Sequence, residues 1–352
     1  MLKYNGARPD NVPDTWAAQE REHPAQYSPE LGLVHAIEVA LTLGKPLLLT
    51  GEPGTGKTQL AYHLAWALGL GAPLKFEATS VMQARDMFYS FDSLGRFHAA
   101  QEASGSTSPA DFITFQALGL ALIRSLDTLD HLPPMFHAHL SDEAPGATAS
   151  DPFGDPGAIG ERSVVLVDEI DKAPRDVPND VLNQIEHMYF RVPECAGLEV
   201  RGNPERRPVL IFTSNSERFL PDAFLRRCIF YDIPYPTSTQ LEAIVHQRLN
   251  LASSSVPQLV RECISLINYL RSPEAGLARR PGPAELLDLL KVLVLQGHDL
   301  ERPLAHADEI IVAAACTLVK NRDDQPLVET LIANWRQQMG GVLGKTVEAG
   351  RC

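Results

Sequence analysis

The segment Gly51–Thr58, which reads GEPGTGKT, constrains the fold of this chain more than any other part of the sequence. It fits the pattern G-x-x-x-x-G-K-[ST], in which glycines let the backbone fold closely around phosphate oxygens. An apolar run, Pro46–Thr50, precedes the segment, and apolar residues at helical spacing follow it over Thr58–Leu70. Amide N–H groups at the start of a helix favour an anion. The sequence therefore predicts a strand, a phosphate-binding loop and a helix in succession.

The side chains at the end of this loop suit a nucleotide with its metal ion. Lys57 is expected to reach the β- and γ-phosphates, and the Thr58 hydroxyl is expected to ligate Mg²⁺. The residues expected to bind the nucleotide are Gly51, Glu52, Pro53, Gly54, Thr55, Gly56, Lys57, Thr58 and Gln59.

Two acids, Asp168 and Glu169, follow the apolar run Ser163–Val167. Ligands bind at the carboxyl ends of strands in a parallel sheet. Asp168 is therefore placed to hold Mg²⁺ through its water shell, and Glu169 to act as the general base that polarises the attacking water. Asn215 follows another run, Val209–Thr213, and is a candidate to hold the same water. The alternative for Asn215 is a residue that only forms a turn.

Apolar runs alternate with helical patterns up to about residue 236, which favours an α/β sheet wound by crossover connections. The first helix is predicted to have Ser28 as its N-cap. Further strands are predicted at Leu74–Thr79 and Cys228–Ile233, and helices at Ser28–Leu43, Phe112–Leu126 and Val177–Met188.

Changes in pattern divide the chain into regions. Residues 1–26 are polar and predict an irregular arm, and residues 27–236 predict the α/β domain. Within that domain, residues 127–162 are rich in Pro, Gly, Ala, Ser and Asp and predict a surface insertion. Residues 237–338 predict an all-α domain, and residues 339–352 a frayed tail. Helical patterns in the second domain lie at Thr239–Leu249, Gln258–Leu270, Ala284–Gln296, Asp308–Val319 and Pro326–Met339.

Composition narrows the classes of function. The formal net charge is −13 at pH 7, which disfavours a protein that coats nucleic acid. No apolar stretch is long enough to span a membrane, and the N-terminus lacks the apolar core of a secretion signal. The 5 cysteines contain no C-x-x-C pair, which fits free thiols in a reducing compartment. A soluble cytoplasmic protein without membrane or nucleic-acid partners is expected.

Taken in order, the motifs resemble those of an AAA+ ATPase, and in particular the MoxR-like group, over about residues 27–335. GEPGTGKT resembles the Walker A motif, VVLVDE resembles Walker B, and TSN resembles sensor 1. LPDAFLRRCIF resembles the segment that carries the arginine finger, and ARRPGPAELLDLL the start of the sensor 2 helix. The resemblance implies a P-loop αβα sandwich with a parallel five-stranded sheet, followed by an all-α lid domain.

The resemblance also assigns roles to single residues. It implies ATP with Mg²⁺ as the bound nucleotide, Asn215 as the residue that positions water, and Arg227 as the arginine finger, with Arg226 as the alternative. In the family this arginine acts on the neighbouring subunit's nucleotide, so a homo-oligomeric ring, usually a hexamer, is implied. Arg280 matches the sensor 2 position, with Arg279 beside it as the alternative. The implied activity is ATP hydrolysis that remodels or matures a protein partner, often one with a von Willebrand A domain.

Two segments leave alternatives open. After Walker B this chain has IDKAPR where many relatives have Asn-Arg-Ala, so Lys172 or Arg175 is either an extra intersubunit cation or a solvated loop charge. MoxR-like proteins carry an insertion after the second strand that faces the pore of the ring. Phe88 and Tyr89 lie there and are candidates to contact a partner. The alternative is that Phe88 and Phe91 are core residues on one helix face.

Other activities have less support in the sequence. The main alternative is a nucleotide-operated switch or scaffold with slow hydrolysis, in a signalling or defence assembly, although Glu169 and an arginine finger favour turnover. A P-loop kinase lacks an obvious acceptor site, and a GTPase lacks the guanine-reading Asn-Lys-x-Asp motif. His131, His137 and His139 have no supporting acid at helical spacing, so surface histidines are expected there instead of metal ligands.

Overall fold

The computed structural model describes residues 23–101, 108–130, 132, 159–248, 256–301, 303–304, 314 and 316–349, with side chains described up to residue 339. Three predictions from the sequence lie wholly or mostly outside these residues. They are the arm over residues 1–26, of which only 23–26 are described, the interior of the 127–162 insertion with His131, His137 and His139, and the last residues of the tail.

The described secondary structure forms two compact units. One consists of the residues up to Gly51 with Gly56–Ile233, and the other of Glu52–Thr55 with the residues from Pro234 onward. The strands are β1 (Leu47–Gly51), β2 (Leu74–Glu77), β3 (Tyr89–Phe91), β4 (Ile113–Phe115), β5 (Val164–Asp168), β6 (Tyr189–Val192), β7 (Leu198–Arg201), β8 (Val209–Thr213) and β9 (Ile229–Ile233). The α-helices with described bounds are α1 (Leu31–Leu43), α2 (Lys57–Ala67), α3 (Ser93–Gln101), α4 (Ala117–Arg124), α5 (Val177–Glu186), α6 (Asp222–Leu225), α7 (Ser238–Arg248), α8 (Gln258–Arg271), α9 (Pro283–Leu295) and α10 (Val328–Ala349).

The first unit is built on a five-stranded sheet with the order β2-β5-β8-β1-β9, in which every strand pair is parallel. Leu48 and Phe212 face one side, where α4 and α5 complete a core, and Leu49 and Ile211 face the other, where α1 and α2 do so. Because both faces are covered, the strands are nearly continuous apolar runs. The predicted class, a parallel α/β sandwich followed by a helical region, is confirmed.

The strand register brings the carboxyl ends of neighbouring strands to one edge of the sheet. Glu77 lies opposite Asp168 between β2 and β5, and Leu49 lies opposite Thr213 between β1 and β8. The backbone N–H of Ser214 continues this pairing by donating to the Leu49 carbonyl at 2.9 Å. The loops that leave β1, β5 and β8 therefore meet at this edge, as the sequence predicts.

The helix predicted over Phe112–Leu126 is wrong at its start. Residues 113–115 form strand β4, and the helix α4 begins only at Ala117. Ile113 and Phe115 are buried while Thr114 between them is exposed, so this part of the segment follows the two-residue period of a strand. Three residues with this alternation were too few to separate from the longer helical spacing that follows.

The first helix also begins later than predicted. Helix α1 begins at Leu31, and its N-cap is Glu30, so Ser28 is not the cap. Glu30 has an extended backbone, and its carboxylate accepts a hydrogen bond from the Tyr231 hydroxyl on β9. This long-range contact fixes the chain before the helix, and no local capping pattern reveals it.

Two antiparallel hairpins, β3–β4 and β6–β7, are added to the sandwich. Phe88 and Tyr89 are 0% and 2% exposed, and both stack on Phe190 of β6, at ring-centroid distances of 5.4 and 6.3 Å. The prediction that these two aromatics contact a partner is therefore wrong. The core alternative is correct for Phe88 and for the half-buried Phe91, but β3 begins at Tyr89, so the two do not share a helix face.

The second unit is helical where it is described. Its core joins Ile267 of α8, Leu289 and Leu290 of α9 and Trp335 of α10. The indole N–H of Trp335 donates to the Ser265 hydroxyl at 3.1 Å, which satisfies the polar atom of a nearly fully buried ring. Apolar residues at helical spacing predicted α7, α8 and α9 within one or two residues of their bounds.

The last two predicted helices of this unit have different outcomes. Most of Asp308–Val319 lies outside the described residues, although residues 316–318 are helical. Helix α10 begins at Val328, after a 3₁₀ turn at Gln325–Leu327, and continues to Ala349, past the end predicted at Met339. The glycines at 340 and 341 suggested that end, because each disfavours a helix by about 1 kcal/mol. Propagation of an established helix tolerates that cost.

Candidate active site

The loop Gly51–Thr58 has the backbone of a phosphate cradle. Gly51, Gly54 and Gly56 have φ values of 138°, 80° and 90°, which side chains other than glycine's rarely allow. A Cβ atom at Gly56 would also lie 2.9 Å from the ring of Tyr27. Helix α2 begins at the next residue, so its free N–H groups open toward the loop. Both the conformation and the close approach require glycine at position 56.

Lys57, the first residue of α2, is buried and folds back over the loop. Its ammonium donates to the carbonyl oxygen of Gly51 at 2.7 Å. Burial lowers the pKa of Lys57, and Asp168 and Asp171 act in the opposite direction. A buried cation beside the glycine loop is suited to neutralising part of the negative charge of a phosphate.

The Asp168 carboxylate at the end of β5 is the centre of a polar cluster. The Thr58 hydroxyl lies 3.2 and 3.3 Å from its two oxygens, and Thr213 on β8 donates to Oδ1 at 2.5 Å. Lys75 on β2 places its ammonium 3.2 Å from Oδ2. The two residues expected to hold Mg²⁺, Thr58 and Asp168, are therefore in contact, and no sequence pattern indicated Thr213 or Lys75.

Glu169 follows directly and has a left-handed backbone, with φ 57°. Its N–H donates to the Thr213 hydroxyl at 2.9 Å, which holds this unusual conformation in place. The amide of Asn215 donates to Oε1 at 3.2 Å, and the Lys172 ammonium donates to Oε2. The structure thus brings together the predicted base, Glu169, and the predicted water-positioning residue, Asn215. It also places the Lys172 ammonium next to the base.

The loop that follows Asn215 is anchored by Asp171. This carboxylate is 3% exposed, and its Oδ2 accepts from the backbone N–H of Glu217 at 2.9 Å. Ser216, which lies between Asn215 and Glu217 in the chain, has a left-handed backbone, with φ 60°. Asp171 therefore fixes the direction in which the chain leaves Asn215, a role that the sequence pattern alone did not indicate.

The two candidate finger arginines follow the short helix α6. Arg226 is exposed, and the Arg227 guanidinium lies 3.4 Å from the Glu186 carboxylate at the end of α5. Both side chains of this ion pair are 40% or more exposed, so it adds little to stability. The structure does not bring either arginine into the cluster around Asp168 and Glu169 of its own chain.

The sensor 2 candidates lie in the second unit. Arg279 and Arg280 are exposed and help to line a cleft of about 290 Å³, together with Glu52 and Pro53 of the same unit. The buried Asp324 accepts from the backbone N–H groups of Ala278 and Arg279 at 3.2 Å each. This carboxylate fixes the backbone immediately before Arg280.

Arg271, the last residue of α8, was not predicted at all. Its guanidinium makes two contacts with the Glu52 carboxylate, at 2.8 and 2.9 Å, and donates to the carbonyl oxygen of Pro281 at 2.8 Å. It also stacks 3.4 Å from the centre of the Tyr235 ring. All four residues belong to the second unit, which includes Glu52–Thr55 of the glycine loop. No short motif marks this arginine, because Glu52 is 219 positions away.

These features together define a P-loop nucleotide-binding domain: a strand, a glycine loop that begins a helix, and an Asp-Glu pair beside an asparagine that follows the neighbouring strand. The sequence profile of the family described as AAA domain (dynein-related subfamily) matches residues 46–228, more than half of the chain. The chain belongs to this AAA family, so the AAA+ part of the resemblance is confirmed. A search of curated proteins found no match.

Other site types find no support among the described residues. None of the helices described is long and apolar enough to cross a membrane. In the same residues no three His, Cys, Asp or Glu side chains group as a metal site. Cys195, Cys228, Cys263 and Cys316 are free thiols, as predicted.

Proposed function

We propose that this protein hydrolyses ATP in a site that neighbouring subunits of a ring complete, and that the cycle remodels a protein partner. The observation that carries the hydrolytic part is the pairing of Glu169 with Asn215 at 3.2 Å, beside Asp168 and the glycine loop. Membership of the AAA family supports nucleotide-dependent activity, and AAA proteins commonly assemble into rings.

The residues present fit ATP with Mg²⁺. The glycine loop and the start of α2 supply N–H groups for the phosphates, and Lys57 supplies a cation for the β- and γ-phosphates. Thr58 and Asp168, already in contact, would hold Mg²⁺, which prefers oxygen ligands. When bound, Mg²⁺ neutralises charge that develops on the phosphates. Gln59, which follows Thr58, completes the proposed nucleotide-binding segment.

The chemical step is assigned to Glu169 and Asn215. The Glu169 carboxylate would orient a water molecule and accept its proton at Oε2, while the Asn215 amide holds the water and Oε1. Thr213 and Asp171 keep these two groups in place through the Glu169 N–H and the Glu217 N–H. Positioning of this kind supplies most of the catalysis in phosphoryl transfer, because the protein makes no covalent bond.

The arginine finger is assigned to Arg227, with Arg226 as the alternative. A guanidinium stabilises the charge of the transferred phosphoryl group. Arg227 is 40% exposed at its contact with Glu186, so a neighbouring subunit has access to it. This assignment supports a homo-oligomeric ring, for which the family resemblance suggests a hexamer.

One feature favours the MoxR-like group within the family. Strand β3, helix α3 and strand β4 lie between β2 and α4, where that group carries its insertion. Arg280, at the start of the segment that resembles sensor 2, lines a cleft with Glu52 and Pro53 and is proposed as a nucleotide-binding residue of the AAA+ type. A cytoplasmic partner protein, for which the resemblance suggests a von Willebrand A domain, would then be the substrate of remodelling.

The experiment is ATP turnover per subunit over a range of protein concentrations, with Glu169→Gln and Arg227→Ala. We expect per-subunit turnover to rise with concentration, and both variants to abolish it while nucleotide still binds. Arg261→Ala, on the exposed side of α8, serves as the control and keeps wild-type turnover. Turnover independent of concentration contradicts the shared site, and an active Arg227→Ala protein contradicts the assignment of Arg227 as the finger.

A nucleotide-operated switch or scaffold is the second candidate. Lys172 and Asn215 each donate a hydrogen bond to one carboxylate oxygen of Glu169. These contacts favour the switch, because a base that already accepts two hydrogen bonds is expected to activate water slowly. The same experiment separates the two functions. A switch would bind ATP tightly, hydrolyse it slowly at every concentration and depend little on Arg227.

A further inference from the structure

A cleft lies in the first unit at the edge of the five-stranded sheet where the strands begin, opposite the glycine loop. Its apolar lining comes from the starts of β1 and β8 and from one face of α1, and consists mainly of Ile37, Ala40, Leu41, Leu47, Val209 and Ile211. Strands β1 and β8 have five residues each, and such a strand is about 16 Å long. The cleft is therefore a separate place on the molecule from the assigned nucleotide site.

Three basic side chains, Lys45, Arg162 and Arg207, also line this cleft. In the part of the chain that the structure describes, no carboxylate lies within ion-pair distance of any of them. Burial lowers the pKa of Arg162, as expected for a cation that is withdrawn from water. The chain has 44 acidic and 31 basic residues, so a group of three cations without an acid departs from its overall charge.

Backbone oxygens hold both guanidinium groups in position. Arg162 donates to the carbonyl oxygen of Glu205 at 2.8 Å. Arg207 donates to the last carbonyl oxygens of α5, those of Ile185 and Glu186, at 3.1 and 3.0 Å. An arginine has five N–H donors, so most donors of Arg162 and Arg207 remain for another acceptor. Fixed guanidinium groups of this kind are suited to binding a carboxylate.

The size of the cleft distinguishes between classes of anion. Its volume is about 30 Å³, whereas sites for cofactors and other small molecules usually have about 300–1,000 Å³. Nucleic acid is disfavoured by the net charge of −13. An acidic peptide fits better, because one of its apolar side chains can enter a small cleft while its carboxylates bind the surrounding cations.

We propose that this cleft is a docking site for an acidic segment of a protein partner. The segment inserts one aliphatic side chain between α1 and β8, and its carboxylates bind Lys45, Arg162 and Arg207. This inference goes beyond the proposed function, because docking here requires neither ATP hydrolysis nor a ring. It can therefore fail while the ATPase stands, and the reverse also holds.

The first test is a titration of a fluorescein-labelled peptide with the full chain, followed by fluorescence anisotropy. The peptide has one leucine between two pairs of aspartates. Arg162→Gln should weaken binding about tenfold, because it removes a charge-assisted hydrogen bond. Lys45→Gln should weaken it about two- to fivefold, because that side chain is exposed. Arg261→Gln and Lys291→Gln remove exposed cations of the second unit and should bind like wild type.

The same titration gives the contrary outcomes. Equal affinity of wild type, Arg162→Gln and Lys45→Gln overturns the proposal, and so does a wild type that does not bind the peptide at about 1 mM. Altered peptides test the two parts of the contact. Replacing the leucine with serine should weaken binding about tenfold, because less apolar surface is buried. Replacing the aspartates with asparagines should remove the salt dependence of binding. If neither change has an effect, the peptide does not bind in this cleft.

Unfolding in denaturant distinguishes a binding residue from a structural one. A half-buried cation without an acid is not expected to stabilise the fold, so Arg162→Gln should keep or raise the midpoint of unfolding. A lower midpoint would mean that Arg162 supports the fold, and would overturn its assignment to an external anion.

Competition and one further variant identify other occupants. If octanoate or inorganic phosphate displaces the peptide at equal concentration, the cleft binds a small anion and the protein partner is overturned. The insertion of this chain also carries acids, namely Asp142, Glu143, Asp151 and Asp155. If changing these four acids to amides tightens peptide binding about tenfold, the insertion is the occupant, and the external partner is again overturned. Unchanged affinity supports the partner.

Discussion

The hydroxyl of Thr213 donates a hydrogen bond to Oδ1 of Asp168 at 2.5 Å, across the pair of strands β8 and β5. The same hydroxyl oxygen accepts from the backbone N–H of Glu169 at 2.9 Å. One buried threonine, 1% exposed, thereby connects the carboxylate assigned to Mg²⁺ with the backbone of the assigned base. The relative position of these two acids depends on a side chain from the neighbouring strand.

Replacing Thr213 with valine keeps the shape of the side chain and removes its hydroxyl. Asp168 loses a donor and the Glu169 N–H loses its acceptor, and leaving such buried groups unsatisfied costs about 1–3 kcal/mol. We expect the free energy of unfolding to fall by that amount and ATP turnover to fall more than ATP affinity. Thr213→Ser, which keeps the hydroxyl, is the control. Equal stability and turnover in the two variants would contradict the role of the hydroxyl.

Lys75 is predicted to compete with Mg²⁺ at Asp168. Its ammonium lies 3.2 Å from Oδ2, and a fixed positive charge there repels a second cation. In Lys75→Met the Mg²⁺ concentration that gives half-maximal binding of ATP should fall by about two- to fivefold, a modest effect because the lysine is partly exposed. Mg²⁺ titrations followed by a fluorescent ATP analogue measure this shift.

Lys75→Arg separates charge from side-chain identity. The arginine keeps a cation on β2 near Asp168, so its Mg²⁺ dependence should stay close to that of wild type. A Lys75→Met protein that needs more Mg²⁺ would show that Lys75 supports the metal site and does not compete with it.

Arg271 is predicted to depend on its planar guanidinium. It contacts Glu52 with two nitrogens and stacks on Tyr235, and lysine reproduces neither geometry. Since the side chain is only 11% exposed, Arg271→Lys should lower the free energy of unfolding by about 1–3 kcal/mol. Chemical denaturation measures this loss. Among the described residues the Arg261 guanidinium donates to the Val256 carbonyl alone, so Arg261→Lys should cost less than Arg271→Lys.

A double-mutant cycle with Glu52→Gln tests the partner of Arg271. If the pair carries the effect, Arg271→Lys should cost less in the Glu52→Gln background than in wild type. Full additivity would assign the loss to the other two contacts, the stacking on Tyr235 and the hydrogen bond to the Pro281 carbonyl. The cycle thus separates the Glu52 contact from the remaining contacts of this guanidinium.

The sequence predicted the parts of the site that depend on short segments. Gly51–Thr58 is continuous in the chain, and Asp168, Glu169 and Asn215 each follow an apolar run. Carboxyl ends of parallel strands meet at one edge of a sheet, so the sequence alone predicted that these side chains lie close together. The contact of Asn215 with Glu169 agrees with that expectation.

Residues whose roles depend on strand order or on distant pairing were not predicted. Lys75 lies on β2 and Thr213 on β8, and both reach Asp168 only because β5 lies between those two strands. Arg271 pairs with a residue 219 positions away. Strand β3, which buries Tyr89, was not predicted, because a short 3₁₀ turn followed by a three-residue strand has no period that a sequence pattern can resolve.

The hydroxyl of Tyr89 should make stability depend on alkaline pH. Burial, followed by the hydrogen bond to Glu194 at 2.9 Å, raises the pKa of Tyr89 to about 12. An unfolded tyrosine has a pKa of about 10, so the folded state retains the proton where the unfolded state loses it. The contribution of Tyr89 is therefore complete below about pH 10 and is lost as pH rises from about 10 to about 12.

Tyr89→Phe removes that contribution and keeps the ring that stacks on Phe190. Near neutral pH, wild type should be more stable than the variant by about 1 kcal/mol, the usual contribution of one hydrogen bond. The difference should shrink above about pH 10, because the Tyr89 hydroxyl of the unfolded wild type then ionises, which stabilises the unfolded state of wild type and not that of the variant. Denaturant unfolding at a series of pH values measures both free energies. A constant difference up to about pH 12 would mean that Tyr89 keeps an ordinary pKa in the folded protein, and that its contact with Glu194 is not maintained in solution.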